Sequence, residues 1–239
     1  MTGNFLTRVE DMASHYLREI RELQPEGPYY LGGFCMGGSV AFEMAQQLTR
    51  DGQPVALLAL FDSYNHNGTR PRQAPAVRVS YLAQKIEFHL KNLAQIDPKH
   101  RWLYLTDKLK GVRARETERI SVALSNILRA LHLGNGKNKV DVFLEPVNEQ
   151  AGIVYKPRVY RGKLTLFQPS KNYSFRTRQH MSWQAVAAEG LRLVELPVHP
   201  GGMFAEPYVQ TLAARLKDCL DEASAEMVAT SRLSRAPGE

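Results

Sequence analysis

The chain has 239 residues, a formal net charge of +7 and 44% hydrophobic residues. This length suits one α/β domain with a substantial core, and the apolar content excludes wholesale disorder. The two cysteines, Cys35 and Cys219, lie in very different contexts, so we expect no disulfide framework and take the cytoplasm as the default location. No signal-peptide pattern is visible, and the longest apolar run is far too short to span a membrane.

Positive charge is concentrated in the middle of the chain. Residues 70–162 hold 18 Lys and Arg residues against 8 Asp and Glu residues. Such a segment suits an acidic protein, a nucleic acid or a membrane surface as a partner, or it forms a solvated helical face. No nucleic-acid motif accompanies the charge, so we expect neither nucleic acid nor a membrane as the partner.

The first half of the chain alternates helical and strand patterns. Apolar residues recur at helical spacing over residues 9–23, which predicts an amphipathic helix. Residues 29–34 then predict a buried strand, and residues 39–50 predict a second helix. The run 54–61 is continuously apolar, which is typical of a strand covered on both faces in a parallel sheet.

The second half begins with a long helical insertion and then returns to the sheet pattern. Residues 68–156 are helical in periodicity and basic, and this stretch is too long for a simple crossover between strands. Further strands are predicted at 162–169 and 191–197, with a short helix at 183–188 and an amphipathic helix at 206–220.

These elements predict an α/β fold built on a parallel sheet with a large helical lid. The core is expected to comprise residues 1–67 and 157–222, and the lid residues 68–156. Residues 223–239 are small and polar, and we expect them to form a flexible tail.

A glycine-crowded turn around Cys35 joins a predicted strand to the helix that follows it. A turn this sharp strains the backbone of a nucleophile and leaves no room for side chains two residues before and after it, where Gly33 and Gly37 stand. Gly38 would let the helix pack closely on the strand. The amide of Met36 would point at an oxyanion forming beside the sulfur.

The same residues do not match two other kinds of glycine-rich loop. The sequence contains no G-x-G-x-x-G, which excludes a dinucleotide fingerprint. Gly33 to Gly38 has the spacing of a phosphate-binding loop, but Ser39 stands where a lysine is needed. The remaining alternative is a small core cysteine in a glycine turn.

Cys35, Asp62 and His199 each follow a predicted strand, in the order nucleophile, acid, histidine that is typical of α/β hydrolases. In such a trio the imidazole takes the thiol proton, and the carboxylate orients the imidazole and stabilises its charged form. A thiolate nucleophile suits thioester substrates, and a helix N-terminus favours the thiolate. For Asp62 the alternative is a residue that simply starts a turn before Ser63.

Three segments, 27–45, 57–63 and 203–209, together resemble the thioesterase domains of nonribosomal peptide and polyketide synthases. This resemblance implies an α/β hydrolase that takes an acyl or peptidyl chain from the phosphopantetheine arm of a carrier protein and releases it by hydrolysis or cyclisation. It implies Cys35 as the acyl-accepting residue, Asp62 as the triad acid and His199 as the base. It also implies Met36 as an oxyanion donor, a lid, an acyl or peptidyl carrier protein as partner, and no metal or other resident cofactor.

The sequence departs from the family pattern in three respects. Cys35 replaces the usual serine. His199 lies one residue early, because Pro200 occupies the expected histidine position; His66 is a second candidate base. The family normally has several strands before the 9–23 helix, including one that supplies a second oxyanion amide, so the resemblance predicts a chain that lacks them and an exposed sheet edge.

The leading functional hypothesis is therefore a carrier-protein-dependent thioesterase or cyclase, and acidic carrier proteins suit the basic segment. One alternative is a truncated, catalytically impaired thioesterase that still binds a carrier protein. Another is a small-molecule hydrolase with a Cys-His-Asp triad. The acyl substrate, the choice between hydrolysis and cyclisation, and the oligomeric state are not encoded in any motif of the sequence.

Overall fold

A computed structural model of the chain describes residues 6–67, 144–170, 179–198 and 202–235, together with scattered positions between 83 and 106. All of those scattered positions are helical. The chain divides into two compact units, one formed by residues 1–73 and 150–239 and the other by residues 74–149. The predicted lid lies largely outside the described residues, so its role stays a prediction.

The described helices and strands alternate along the chain. In order they are α1 (Val9–Leu23), β1 (Tyr29–Phe34), α2 (Met36–Arg50), β2 (Val55–Phe61), α3 (Leu144–Val154), β3 (Leu164–Pro169), α4 (Gln179–Gln184), β4 (Leu191–Leu196) and α5 (Tyr208–Arg235). The strands form one sheet in the order β1-β2-β3-β4, and every neighbouring pair is parallel. The predicted α/β class with a parallel sheet is confirmed.

The register of the sheet brings the strand ends together. Phe34 at the end of β1 pairs with Phe61 at the end of β2, and Phe61 pairs in turn with Phe167 of β3. Because all strands run in one direction, the residues that follow them emerge at the same edge of the sheet. The backbones of Cys35 and Asp62, which follow Phe34 and Phe61, therefore leave the sheet next to each other.

Both faces of the sheet are covered, which explains the unbroken apolar run of β2. Leu58 and Leu60 belong to a core cluster with residues of α1 and α2, whereas Leu57 and Ala59 belong to a second cluster with residues of α5. Alternate residues of a strand point to opposite faces, so each face needs its own apolar set. Full burial of one leucine stabilises the fold by about 1.5–3 kcal/mol.

α5 is longer than the sequence pattern indicated. We predicted a helix that ends near residue 220 and a flexible tail from 223, but the helix continues to Arg235. Ala223 is buried, and Glu226 accepts hydrogen bonds from Lys163 at 2.7 and 2.8 Å. Alanine and glutamate also favour helix.

Among the described residues, no helix is both long and apolar enough to span a membrane.

α4 lies earlier than the predicted helix at 183–188. The backbone N–H of Tyr160 donates to Val186, and the N–H of Ala188 donates to Tyr160. Tyr160 and Ala187 form a parallel bridge. This bridge occupies the backbone groups that a helix through 188 would require.

A buried polar network ties α2 to the chain that follows α3. Glu43 of α2 is almost fully buried and accepts a hydrogen bond from the Tyr155 hydroxyl at 2.7 Å. Gln46 donates to the carbonyl of Arg158 at 2.7 Å. Burial raises the pKa of Tyr155, and the neighbouring Glu43 carboxylate raises it further, so the hydroxyl stays protonated and remains a donor at neutral pH.

We expect Tyr155→Phe to lower the free energy of unfolding by about 1–2 kcal/mol, because the buried Glu43 carboxylate loses a donor. Urea unfolding followed by circular dichroism measures the change. Tyr16→Phe is the matched control, since half of the Tyr16 surface is exposed, and it should unfold like the parent chain. Equal stability of the two variants would show that the Tyr155 bond contributes nothing.

Candidate active site

Cys35 stands in a strained turn between β1 and α2. Its backbone has φ 53° and ψ −120°, a conformation that costs a residue with a side chain on the order of 1–3 kcal/mol. The Cys35 N–H donates to the carbonyl of Phe61 at 3.0 Å, and the Gly38 N–H donates to the Cys35 carbonyl at 3.1 Å. The side chain is exposed. This is the strand-turn-helix arrangement expected of a nucleophile elbow.

The helix after the turn begins at once. α2 starts at Met36, three residues earlier than the sequence pattern suggested, because the single left-handed residue completes the change of direction. Met36 is thus the first residue of α2, and the first four N–H groups of a helix have no partner within it. A Cβ on Gly152 would lie 3.0 Å from Met36 Cγ, so this part of α3 packs directly against Met36.

The glycines of the turn are not equally constrained. A Cβ on Gly33 would lie 2.1 Å from the Gly37 carbonyl oxygen and 2.6 Å from the Gly38 nitrogen. A Cβ on Gly38 would lie 2.4 Å from Ser63 Oγ, whereas a Cβ on Gly37 would meet no described atom within 4 Å. A side chain at Gly33 would therefore collide with the turn, as predicted. The second residue where a side chain would collide is Gly38, not Gly37. Gly37 contributes instead the backbone carbonyl that a Cβ on Gly33 would strike.

Asp62 follows β2 in a turn of its own. Its backbone φ is 42°, and its N–H donates to the carbonyl of Phe167 at 2.8 Å. The residue is buried, and one carboxylate oxygen accepts a hydrogen bond from the Tyr64 hydroxyl. A buried carboxylate at the carboxyl edge of a parallel sheet is more than a surface turn residue. No sequence pattern had pointed to Tyr64.

Ser63 joins the two turns directly. Its hydroxyl donates to the Cys35 carbonyl at 2.8 Å, and its own carbonyl accepts a hydrogen bond from the Trp183 indole at 3.0 Å. Ser63 and Trp183 are both buried. In the linear sequence, Ser63 stands out only as the neighbour of Asp62. Its contact depends on the register of β1 against β2, which the linear sequence does not display.

The third member of the predicted triad is not described. His199 lies outside the described residues, as does Pro200, so the assignment of the base stays a prediction. The chain on either side is placed: Val198 and Met203 are fully buried in the cluster that packs under α5. The second candidate, His66, is half-buried in the loop after β2.

The described residues contain no cluster of three or more His, Cys, Asp and Glu side chains that could hold a metal ion. What they do hold is an exposed Cys35 in a strained turn and a buried Asp62, each following one of two paired parallel strands, and an exposed cysteine in such a turn suits nucleophilic catalysis.

The chain matches a known protein family. A family model of the thioesterase domain matches residues 2–140, which is more than half of the chain. The chain belongs to the thioesterase domain family. This membership supports the enzyme class predicted from the sequence, a thioester hydrolase.

Relatives of this thioesterase domain occur in large synthases. The dimodular nonribosomal peptide synthase of Bacillus subtilis is 42% identical over 67 residues, which cover 28% of this chain. The polyketide synthase PksR of the same organism is 38% identical over 87 residues, which cover 36% of this chain. The matched segment makes up 3% of the length of each relative.

Solved thioesterase domains share the fold. The NocB thioesterase domain, crystallised as a covalent complex with a fluorophosphonate nocardicin G analogue, is 26% identical with a TM-score of 0.58. That alignment covers 92% of this chain and 78% of NocB. The surfactin thioesterase domain SrfTE is 18% identical with a TM-score of 0.50, over 90% of this chain and 77% of SrfTE, which shows a common fold.

We expect Gly33→Ala to destabilise the chain by about 3 kcal/mol or more, because its Cβ would collide with backbone atoms that cannot move aside. Gly37→Ala is the matched control. Its Cβ has open space among the described residues, and alanine favours helix over glycine by roughly 1 kcal/mol, so its stability should equal or exceed that of the parent. Urea unfolding compares the two, and similar losses in both would contradict the geometry of the turn.

Proposed function

We propose that this chain is a thioesterase that accepts an acyl or peptidyl chain from the phosphopantetheine arm of a carrier protein onto Cys35 and then releases it. The observation that carries the proposal is the strained, exposed Cys35 thiol at the N-terminus of α2. The turn is joined through Ser63 to the buried Asp62 turn. Membership of the thioesterase domain family adds the reaction class.

In the first half of the proposed reaction, His199 takes the thiol proton and the Cys35 thiolate attacks the carbonyl carbon of the bound thioester. A carbon–sulfur bond to Cys35 forms, and the carbonyl electron pair moves onto oxygen, where the Met36 amide stabilises it. The intermediate collapses as the pantetheine carbon–sulfur bond breaks. The imidazolium returns its proton to the pantetheine sulfur, and the carrier leaves as a thiol.

In the second half, water or a hydroxyl or amine of the acyl chain attacks the Cys35 thioester and gives its proton to His199. The bond to Cys35 breaks, and the sulfur regains a proton. Water yields a free acid, and an internal nucleophile yields a ring. The first half exchanges one thioester for another, which is why cysteine suits this substrate.

The surroundings of Cys35 favour its thiolate form. α2 is 15 residues long, and the partial positive charge at a helix N-terminus stabilises a nearby anion by about 0.3–1 kcal/mol. Asp62, buried and held by Tyr64, would orient the imidazole and stabilise its protonated form. In this proposal Cys35 is the nucleophile, His199 is the base, and Asp62 is the acid that orients the base.

The proposed partner is an acyl or peptidyl carrier protein. The relatives are nonribosomal peptide and polyketide synthases, and the basic segment 70–162 suits an acidic carrier through charge complementarity. The carrier brings the phosphopantetheine arm with it, so the proposed reaction uses no resident metal or other cofactor.

We expect incubation with an acyl-pantetheine thioester to add one acyl mass to the protein, at Cys35. Intact-protein and peptide mass spectrometry locate the adduct. Cys35→Ala should abolish it, whereas Cys219→Ala should retain it, because Cys219 is buried in α5 and its thiol pKa is raised by that burial. A folded protein that never acquires the adduct would refute the acyl-enzyme. An adduct that forms and is never released would refute the release half of the proposed reaction.

We expect His199→Ala to slow acylation by at least ~10²-fold, since general base catalysis typically contributes 10²–10⁴-fold. Asp62→Asn should slow it as well, because the imidazole loses its orienting carboxylate. His66→Ala is the control and should react at the parent rate. Single-turnover acylation followed by quench and mass spectrometry gives the rate constants. A slow His66→Ala beside an unchanged His199→Ala would transfer the role of base to His66.

A further inference from the structure

The Cys35 carbonyl and the Met36 N–H belong to one rigid unit. Both groups are part of the peptide bond that joins the two residues, and this bond is trans. In a planar trans peptide the C=O and the N–H point in opposite directions. Whatever fixes the direction of the Cys35 carbonyl therefore also fixes the direction of the Met36 N–H, which is the oxyanion donor of the proposed reaction.

Two donors hold the Cys35 carbonyl. The Ser63 hydroxyl donates to it at 2.8 Å, and the Gly38 N–H donates to it at 3.1 Å. The Gly38 bond is local, because it closes the same turn three residues further on. The Ser63 bond comes from the loop after β2, so it ties the peptide plane to the rest of the fold. Both donors lie on the carbonyl side, and the Met36 N–H points away from them.

Ser63 is itself held in place. It is 2% exposed, and its carbonyl accepts a hydrogen bond at 3.0 Å from the indole of Trp183, which is fully buried. Its close approach to α2 depends on Gly38, since a Cβ there would lie 2.4 Å from Ser63 Oγ. A satisfied buried polar contact of this kind rigidifies its surroundings. The hydroxyl is therefore a fixed support for the Cys35 carbonyl.

We propose that Ser63 is a positioning residue for the thioesterase reaction: its hydroxyl, bonded to the Cys35 carbonyl, sets the plane of the Cys35–Met36 peptide and so aims the Met36 N–H. This inference rests on the proposed function, which assigns the Met36 amide to the anionic oxygen of the intermediate. Such a donor is effective because it is aimed before the reaction begins. Loss of the hydroxyl leaves the Cys35 thiol in place but frees the peptide plane to turn.

The test compares two reactions of the same thiol. Acylation by the acyl-pantetheine thioester passes through an anionic oxygen that the Met36 N–H would stabilise. Alkylation by iodoacetamide does not, because the Cys35 thiolate displaces iodide and forms a carbon–sulfur bond in one step. The second reaction therefore reports the thiol without the oxyanion donor.

We expect Ser63→Ala to slow acylation at saturating thioester by about 10- to 100-fold, because removal of an oxyanion donor typically costs 10²–10³-fold and a poorly aimed donor should cost less. The half-saturating thioester concentration should stay unchanged, since the lost contact acts in the transition state and not in substrate binding. The rate of alkylation should also equal that of the parent. Single-turnover kinetics with mass spectrometry measure both reactions.

Matched controls separate positioning from general damage. Ser39→Ala removes another buried serine hydroxyl, four residues after Cys35 in α2, and should keep both parent rates. Peptide mass spectrometry assigns each adduct to Cys35 or Cys219. Urea unfolding of every variant confirms that the rates belong to folded protein. If Ser39→Ala slows acylation as much as Ser63→Ala does, the effect is not specific to the Cys35 carbonyl and the proposal is overturned.

The remaining outcomes distinguish failure of this inference from failure of the proposed function. If the parent is acylated and Ser63→Ala is acylated at the same rate, the positioning role is overturned and the acyl-enzyme survives. If Ser63→Ala slows acylation and alkylation equally, Ser63 acts on the thiol rather than on the Met36 amide, which also overturns the proposal. If the folded parent never acquires an acyl group, the proposed function fails, and the positioning role falls with it.

Discussion

The left-handed backbone at Cys35 is the constraint on which the site depends. A residue with a side chain adopts this conformation only where its surroundings hold it. Here the Phe61 carbonyl fixes the Cys35 N–H, and the Ser63 hydroxyl and the Gly38 N–H fix its carbonyl. The turn is thus held by β2 and by its own helix together. Its strain is maintained by the pairing of β1 with β2 rather than by local sequence alone.

That pairing also places the carboxylate. Because Phe34 and Phe61 are register partners, the residues that follow them lie side by side at the sheet edge. Like Cys35, Asp62 has a positive φ, and its backbone N–H donates a hydrogen bond to the next strand, β3. Thus β2 fixes Cys35, the residue that follows β1, and β3 fixes Asp62, the residue that follows β2. Both residues with a strained backbone lie at the edge of the sheet where the chemistry is proposed.

The supports of the site come from distant parts of the chain. Trp183 of α4 reaches the Ser63 carbonyl, and Tyr155, beyond α3, holds Glu43 of α2. Phe204 reaches the residues before both turns. A long insertion therefore interrupts the sequence of the core without separating these contacts in space. The polar partners are buried, so each contact matters more than its surface equivalent would.

The sequence by itself determined the parallel strands, the strand-turn-helix arrangement at Cys35 and the position of Asp62 directly after a buried strand. Apolar runs, glycine spacing and chain order are signals that are visible in the linear sequence without knowledge of the fold. The tertiary structure alone decided which glycines are crowded, that Ser63 bridges the turns, that Tyr64 holds Asp62, and that the last helix continues to Arg235. These features depend on strand register and on partners far apart along the chain. Local periodicity therefore carried no signal for them.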